Sequence, residues 1–532
     1  MMLALAGGVA ASAQTPALAL LPGAGQPKAA GPAAVGGRIL LVLPFDNRSG
    51  QPSLEWMREA AAELLEARFS SAGFAPMSRA DRLYALDHLG LPQGFQPSRA
   101  SSLKLAQTLD ADSIVVGSFR TEGGELIAEA QLVDVAHLTM SGVASTRGPM
   151  LKMVDIFDAL AWTLTRQLDP SFNVAEETFV AAGRNIRLDA FEQYIRGITE
   201  PDQQERLRHL QQAVTLSPDL GPAWMALGRE DYGGQHYEDA AAAFAHVGRN
   251  SQDALEAAFY RGISLLFSGD YPHAEEAFAQ VSHTLPLAEV LNNQAVAQSR
   301  RGQDGSPLFR QAVAADPNRA DYHFNLAVSL HRHGAQAEAQ TEMAQCLRLR
   351  PSDDEAHELL DAWKKPALSA AAAALAEPLE RIVRTFDAAA FRQATQLMNQ
   401  MEASRLAALS PHEQALRLAE EGAEALDRGL LLEAERLYQA AAALDNKTAH
   451  VHAGLAAIRE QSGDKDAARR EARISLELLP SPEAYLVLGR LDLAAGQLNV
   501  AAGEAAAALK IDPSNKAALA LRQQIESKVG HL

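Results

Sequence analysis

From Arg38 onwards the chain alternates between short apolar runs and longer stretches with apolar residues at three- and four-residue spacing. Ile39-Leu40-Leu41-Val42-Leu43 is an unbroken apolar run closed by Pro44, which predicts a buried strand. Leu54, Met57, Ala61, Leu64, Leu65 and Phe69 share one helical face. Two more helices are predicted over 81–89 and 101–109, and a second strand over 113–119. Glu122-Gly123-Gly124-Glu125 is a turn signal, and 126–135 then alternates, which makes a β-hairpin. Helical spacing returns over 155–168. These elements predict one small mixed α/β domain, assigned to 37–170.

Four segments of this region carry a family resemblance. They are Leu43-Pro44-Phe45-Asp46-Asn47-Arg48-Ser49-Gly50, Ala111-Asp112-Ser113-Ile114-Val115-Val116-Gly117-Ser118, Ala130-Gln131-Leu132-Val133-Asp134 and Asp155-Ile156-Phe157. In this order they resemble the TolB amino-terminal-like domain, whose fold is related to that of CsgG-like envelope proteins. The resemblance implies a role in envelope protein assembly and a domain often joined to helical repeats. The β-propeller that follows this domain in TolB has no counterpart here, so TolB's own role does not carry over.

Beyond residue 186 the sequence repeats itself. Gly262, Gly269, Ala274, Phe278 and Pro286 form one set, and Ala327, Gly334, Ala339, Met343 and Pro351 another. Gly422, Gly429, Ala434 and Tyr438 form a third, and Gly489, Gly496, Ala501 and Pro513 a fourth. Turn glycines at 269, 302 and 334, then at 429, 463 and 496, are 33, 32, 34 and 33 residues apart. This resembles the tetratricopeptide (TPR) repeat, with its period of roughly 34 residues. Trp224, Leu227, Gly228, Tyr237, Ala240 and Phe244 mark a further unit, and the degenerate stretch from Gly197 to Pro218 reads as a cap. The physical logic is consistent: glycine permits the tight turn, small residues let paired helices approach, and aromatics fill the space between neighbours. About five units are assigned to 186–364 and about three, plus a closing helix, to 411–528. The fold class expected is therefore multidomain: a small mixed α/β domain followed by all-α TPR solenoid arrays. Between the arrays, 365–410 begins with a run of mostly alanine. Leu379, Ile382, Val383, Phe386, Ala390, Leu397 and Met401 then follow at helical spacing, which predicts a helical bridge.

Composition changes this picture in a few places. Apolar residues make up 47% and charged residues 21% of 532 residues, an ordinary globular balance for several domains. The formal net charge of −18 argues against nucleic-acid partners, which need a Lys/Arg surface. The single cysteine, Cys346, rules out a disulfide framework and a multi-cysteine metal site. Residues 1–13 are apolar and end in Ala11-Ser12-Ala13, an A-x-A-like cleavage signature, so they read as a signal peptide although no basic residue precedes Lys28. Residues 14–36 read as an Ala/Pro/Gly-rich linker. The setting expected is the periplasm or another exported location, the alternative being a cytoplasmic TPR regulatory or sensor protein. No run reaches the roughly 18 apolar residues of a membrane span.

Residue patterns that carry chemistry are few in this sequence. His357-Glu358 and His412-Glu413 lack the second histidine of the metalloprotease pattern. His331/His333 and His450/His452 lie two apart, on different sides of a helix. Phosphate-loop and nucleophile-elbow patterns are missing from the sequence. Cys346 falls where a repeat places a buried small residue, and Asn293 and Asn325 take equivalent positions in adjacent repeats, where structure is the favoured role. The expectation is a non-enzymatic scaffold with no cofactor and no metal, an enzyme hidden in the α/β domain being the alternative. By the TPR resemblance, the groove-lining residues are Glu289, Asn292, Val296, Ser299 and Arg300 in one repeat, and Asp321, Phe324, Val328, His331 and Arg332 in the next. Asn292, Ser299, Arg300, Phe324, His331 and Arg332 are the candidate peptide-binding set: a carboxylate and an apolar side chain suit their chemistry. The partners expected are protein or peptide segments. The Lys/Asn pattern of the chaperone-binding carboxylate clamp is not reproduced.

Overall fold

The computed structural model describes residues 38–92, 98–183, 186–251, 253–364 and 378–529. The expected signal peptide and linker, and the alanine-rich start of the bridge, lie outside the described residues.

The strands are β1 (Ile39–Val42), β2 (Asp46–Asn47), β3 (Ala75–Pro76), β4 (Ser113–Glu122), β5 (Glu125–Asp134) and β6 (Ala144–Pro149). They form one sheet in the order β3-β1-β4-β5-β6, with β2 also pairing β4. β1 is parallel to β3 and β4, and β4-β5-β6 is an antiparallel meander. The helices of this domain are α1 (Met57–Ser71), α2 (Arg79–His88), α3 (Arg99–Thr108) and α4 (Met153–Leu168). The unbroken apolar run of β1 follows from burial on both faces. Leu40 and Val42 join the core made with α1 and α4, and Leu41 and Leu43 join the one made with α2 and α3. β6 escapes sequence reading because it is an edge strand, Ala-Ser-Thr-Arg-Gly-Pro, with only its first residue buried.

A short helix, α5 (Glu176–Ala181), leads into helical hairpins. The first five are α6 (Leu188–Thr199) with α7 (Gln203–Leu216), α8 (Gly221–Gly233) with α9 (Tyr237–Ala245), α10 (Ala254–Ser268) with α11 (Tyr271–Thr284), α12 (Ala288–Arg300) with α13 (Ser306–Ala315), and α14 (Ala320–Arg332) with α15 (Gln336–Leu349). Then come α16 (Asp354–Lys364) and α17 (Ala388–Ala407). Three more hairpins pair α18 (Pro411–Asp427) with α19 (Leu431–Leu444), α20 (Ala449–Ser462) with α21 (Lys465–Leu478), and α22 (Pro482–Ala494) with α23 (Leu498–Ile511); α24 (Lys516–Val529) follows. This is a TPR-type solenoid behind a mixed α/β domain. Two of the hairpins close on the same device: a Cβ added to Gly228 or Gly262 would lie 2.7 Å from the ring of Phe244 or Phe278. The turn glycines 269, 302, 334, 429, 463 and 496 all have φ between 75° and 94°, a left-handed geometry that suits glycine.

The α/β domain and the first hairpins share one core. Leu160, Phe157 and Phe179 belong to the same cluster as Phe191, Ile195, Leu210, Ala223 and Leu227. Tyr194 Oη also donates to Glu63 at 3.1 Å. The second array seats on α5. Glu435, fully buried on α19, accepts from Arg459 of α20 at 2.5 Å and from the backbone N–H of Ala175 at 3.1 Å. Arg459 also donates to Thr178 at 3.2 Å. A cleft of about 490 Å³ lies at this joint, with Arg68, Arg249, Arg428 and Arg436 on its walls.

One expectation is corrected here. Among the described residues of the bridge, α17 is helical and 378–387 contains no helix. The three-to-four spacing of Leu379, Ile382, Val383 and Phe386 reads as a helical face. In the fold, however, the backbone of this segment is bonded by side chains of the first array, so it does not close helical hydrogen bonds of its own.

Candidate functional site

In the fourth and fifth hairpins the first helices, α12 and α14, each present one face to 378–387. Their side chains hold the backbone at 381 and 383, within a stretch, 378–384, that has no helix, turn or bend. Three contact types are superposed along it.

The first is to the backbone. Asn325 accepts from the N–H of Arg381 at 2.7 Å and donates to its carbonyl, also at 2.7 Å. Asn293 does the same to Val383, accepting at 3.0 Å and donating at 2.7 Å. Asn292 adds a donor to the Arg381 carbonyl at 3.1 Å, and Asn325 steadies Asn292 at 2.8 Å. All three asparagines are fully buried. Residues 381 and 383 are two apart, the period of an extended chain, and Asn325 and Asn293 come from successive repeats. The amides thus replace a neighbouring strand, one asparagine per repeat, because a carboxamide carries both a donor and an acceptor.

The second is a charge clamp. The Glu380 carboxylate, 1% exposed, sits between Arg300 and Arg332. Arg300 Nε lies 3.5 Å from it, Ser299 Oγ donates at 2.5 Å, and Arg332 Nη1 also bonds it. Arg332 Nη2 donates to the Pro378 carbonyl at 2.8 Å, and Arg300 Nη2 to the Glu380 carbonyl at 3.3 Å. A buried carboxylate is tolerated only when paired and hydrogen-bonded in this way.

The third is a row of side-chain seats. The Arg381 guanidinium lies 3.6 Å from the centre of the Phe324 ring and pairs with Asp353 at 2.5 and 2.8 Å, Glu355 at 2.9 Å and Asp321 at 3.2 Å. These acids hold the guanidinium pKa above its ordinary value against the burial that opposes them. The bond from Arg381 holds Asp353 below the usual carboxylate range. Ile382 packs against the core around Phe259 and Val296, and Val383 against the cluster of Leu291, Ala312 and Tyr322. Phe386 reaches α10, 5.5 Å from Phe259, and Arg384 lies 5.1 Å from the centre of the Phe267 ring. The segment runs against the repeat order, from the fifth hairpin to the third.

Of the six candidate residues, five converge on this segment: Asn292, Ser299, Arg300, Phe324 and Arg332. His331 does not. Its ring stacks on Trp363 at 4.3 Å and bonds Gln336 at 2.8 Å, because α16 closes over that side of α14. Of the other groove positions, Asp321 bonds Arg381, while Val296 and Val328 are buried in the cores between helices. The charged end contributed by Asp353 and Glu355 lies beyond the fifth hairpin, outside the repeat register that points to the other groove residues. Asn293 and Asn325 carry a signal of their own, equivalent places in successive repeats, and both bind the segment's backbone. Cys346 is buried among Ala327, Met343 and Leu360, and burial raises its thiol pKa to about 11.

No family model and no curated protein matches this chain. Solved structures match in part. A MamA fragment from Desulfovibrio magneticus is 20% identical over 34% of this chain and 99% of that one, with a TM-score of 0.28. YrrB, described as a TPR protein with an unusual peptide-binding site, is 14% identical over 38% of this chain and 99% of that one, with a TM-score of 0.29. The LpoB C-terminal domain from Escherichia coli is 18% identical over 22% of this chain and 87% of that one, with a TM-score of 0.19. Likenesses of this size assign no function, and the TPR character rests on the hairpins themselves.

Proposed function

We propose that this chain is a non-enzymatic adaptor whose first helical array grips extended protein segments. The observation that carries the reading is the asparagine pair. Two buried carboxamides on successive repeats each bond both backbone groups of one residue in an extended chain. Such an arrangement recognises polypeptide as polypeptide, and the flanking clamp and seats select its side chains. Reversing Arg300 and Arg332 to glutamate should strip the groove of its acid-binding end. An unchanged set of bound proteins after that double change would remove the groove from the function.

The setting we propose is the bacterial cell envelope, with the α/β domain as a second docking site. The support is the resemblance of 43–50, 111–118, 130–134 and 155–157 to the TolB amino-terminal-like domain, together with the signal-like residues 1–13. Amino-terminal sequencing of the native protein after cell fractionation tests it. A chain starting near Gln14 in the periplasm is expected; an intact Met1 in the cytosol would refute export.

A further inference from the structure

The groove is filled by a piece of its own chain, and the manner of filling says what else fits. We propose that 378–387 is a built-in ligand of the first array, and that the groove's outside partner is an extended segment of the same chemistry, which must displace it. This rests on the reading of the groove as a peptide site.

The seats define that chemistry. One acidic residue enters the Ser299, Arg300 and Arg332 clamp. The next residue is arginine, flat on Phe324 and paired with Asp353. Two aliphatic positions follow, with an aromatic three places after the second, against Phe259. In this chain that is Glu380-Arg381-Ile382-Val383-Arg384-Thr385-Phe386. The arginine seat and the second aliphatic seat, at 381 and 383, sit on the backbone rails, which bond main-chain atoms and so accept a second chain as readily as this one.

The seating is that of a ligand rather than of a core element. The segment has no secondary structure, and its backbone bonds at residues 381 and 383 go to side chains 56 and 90 residues away. It belongs to the same chain as the groove and continues directly into α17. A ligand carried on the same chain meets its groove at an effective concentration on the order of 1 mM. An outside segment therefore meets a groove that is occupied most of the time, and its apparent affinity falls in proportion to the fraction left open. The same competition gives the array a threshold: weak peptides are excluded, and a partner that matches every seat gains entry.

The test uses the full-length protein and a fluorescent synthetic peptide of residues 378–388, followed by anisotropy. The double variant Glu380→Arg/Arg381→Glu spoils the resident segment while leaving every groove residue in place. It is expected to bind the peptide about ten-fold or more tightly than the natural chain does. Adding Asn293→Ala and Asn325→Ala to it should abolish the gain, as should swapping the same two charges in the peptide. If the natural chain and the double variant bind the peptide equally well, the built-in competitor is refuted while the groove remains a peptide site. If neither binds, both the competitor and the groove reading fall. Arg381→Ala serves as the milder variant should the double change unfold the array. Amide exchange on the natural chain gives a second readout: excess peptide should speed exchange across 378–387, and unchanged rates at saturation would overturn the proposal.

Discussion

The joint between the second array and α5 can be broken by one atom group. Glu435 is fully buried and accepts from Arg459 and from the Ala175 N–H, while Arg459 reaches Thr178. Glu435→Ala leaves a guanidinium that is 11% exposed without a counter-charge. Removing one partner of such a pair costs about 3–5 kcal/mol, because the remaining charge stays desolvated. The orphaned Ala175 N–H adds about 1–3 kcal/mol if no water reaches it. The loss falls on the joint and on the α19–α20 contact that the pair bridges, and not on the first array. Hydrogen exchange resolves it: amides of α5, α19 and α20 should lose at least 3 kcal/mol of opening free energy relative to the natural chain, while α10–α15 keep theirs. The apolar double variant Glu435→Leu/Arg459→Met should recover most of the loss, since apolar replacements of buried pairs are often neutral or stabilising. A single variant within about 1 kcal/mol of the natural chain, or a double variant as unstable as the single, would refute the reasoning.

Three further outcomes follow from the same structure. Gly454→Ala places a methyl 2.1 Å from the Tyr438 ring, so overpacking should lower stability by about 1–3 kcal/mol or more, read as a drop in Tm. Asp158, buried beside Arg68 at 3.4 Å, has its pKa pushed up to about 7 by burial. Its folded pKa lies above the unfolded one, so the folded state loses stability as pH rises from the ordinary carboxylate range to about 7. By about 1.36 kcal/mol per unit the loss is on the order of 4 kcal/mol, and Asp158→Asn should flatten Tm between pH 5 and 8 relative to the natural chain. Asp353 has the opposite sign: Arg381 holds its pKa below 3.8. Its contribution is present above that value and is lost as pH falls through the lowered pKa. Lowering the pH through that range should therefore reduce the protection of the Arg381 and Val383 amides, taken relative to their intrinsic exchange at each pH, and Asp353→Asn should reduce it already at neutral pH.

The fold class was legible because its signals are local or periodic. Leu40/Val42 and Leu41/Leu43 announce a strand buried on both faces, and Gly262 with Phe278 announces a hairpin at the repeat period. The groove was half legible. Repeat register pointed to Asn292, Ser299, Arg300, Phe324 and Arg332, but it carried His331 along with them, since α16 and Trp363 stand outside the repeat. What occupies the groove could not be read locally. Leu379, Ile382, Val383 and Phe386 have the spacing of a helix, and the groups that hold them extended lie 56 to 90 residues upstream. No window of sequence contains both partners.

The joint at α5 also sets how the molecule carries load. A solenoid of stacked repeats transmits tension from each repeat to the next. Here a pull on the last hairpins passes from α20 through Arg459 and Thr178 into α5, and from there into α4 and the sheet. The route bypasses α10 to α15 entirely. The covalent path differs: α17 joins the second array to 378–387, so only when the contacts at α5, and that of Arg428 with Asn250, are broken does such a pull reach the groove segment, at its Phe386 end.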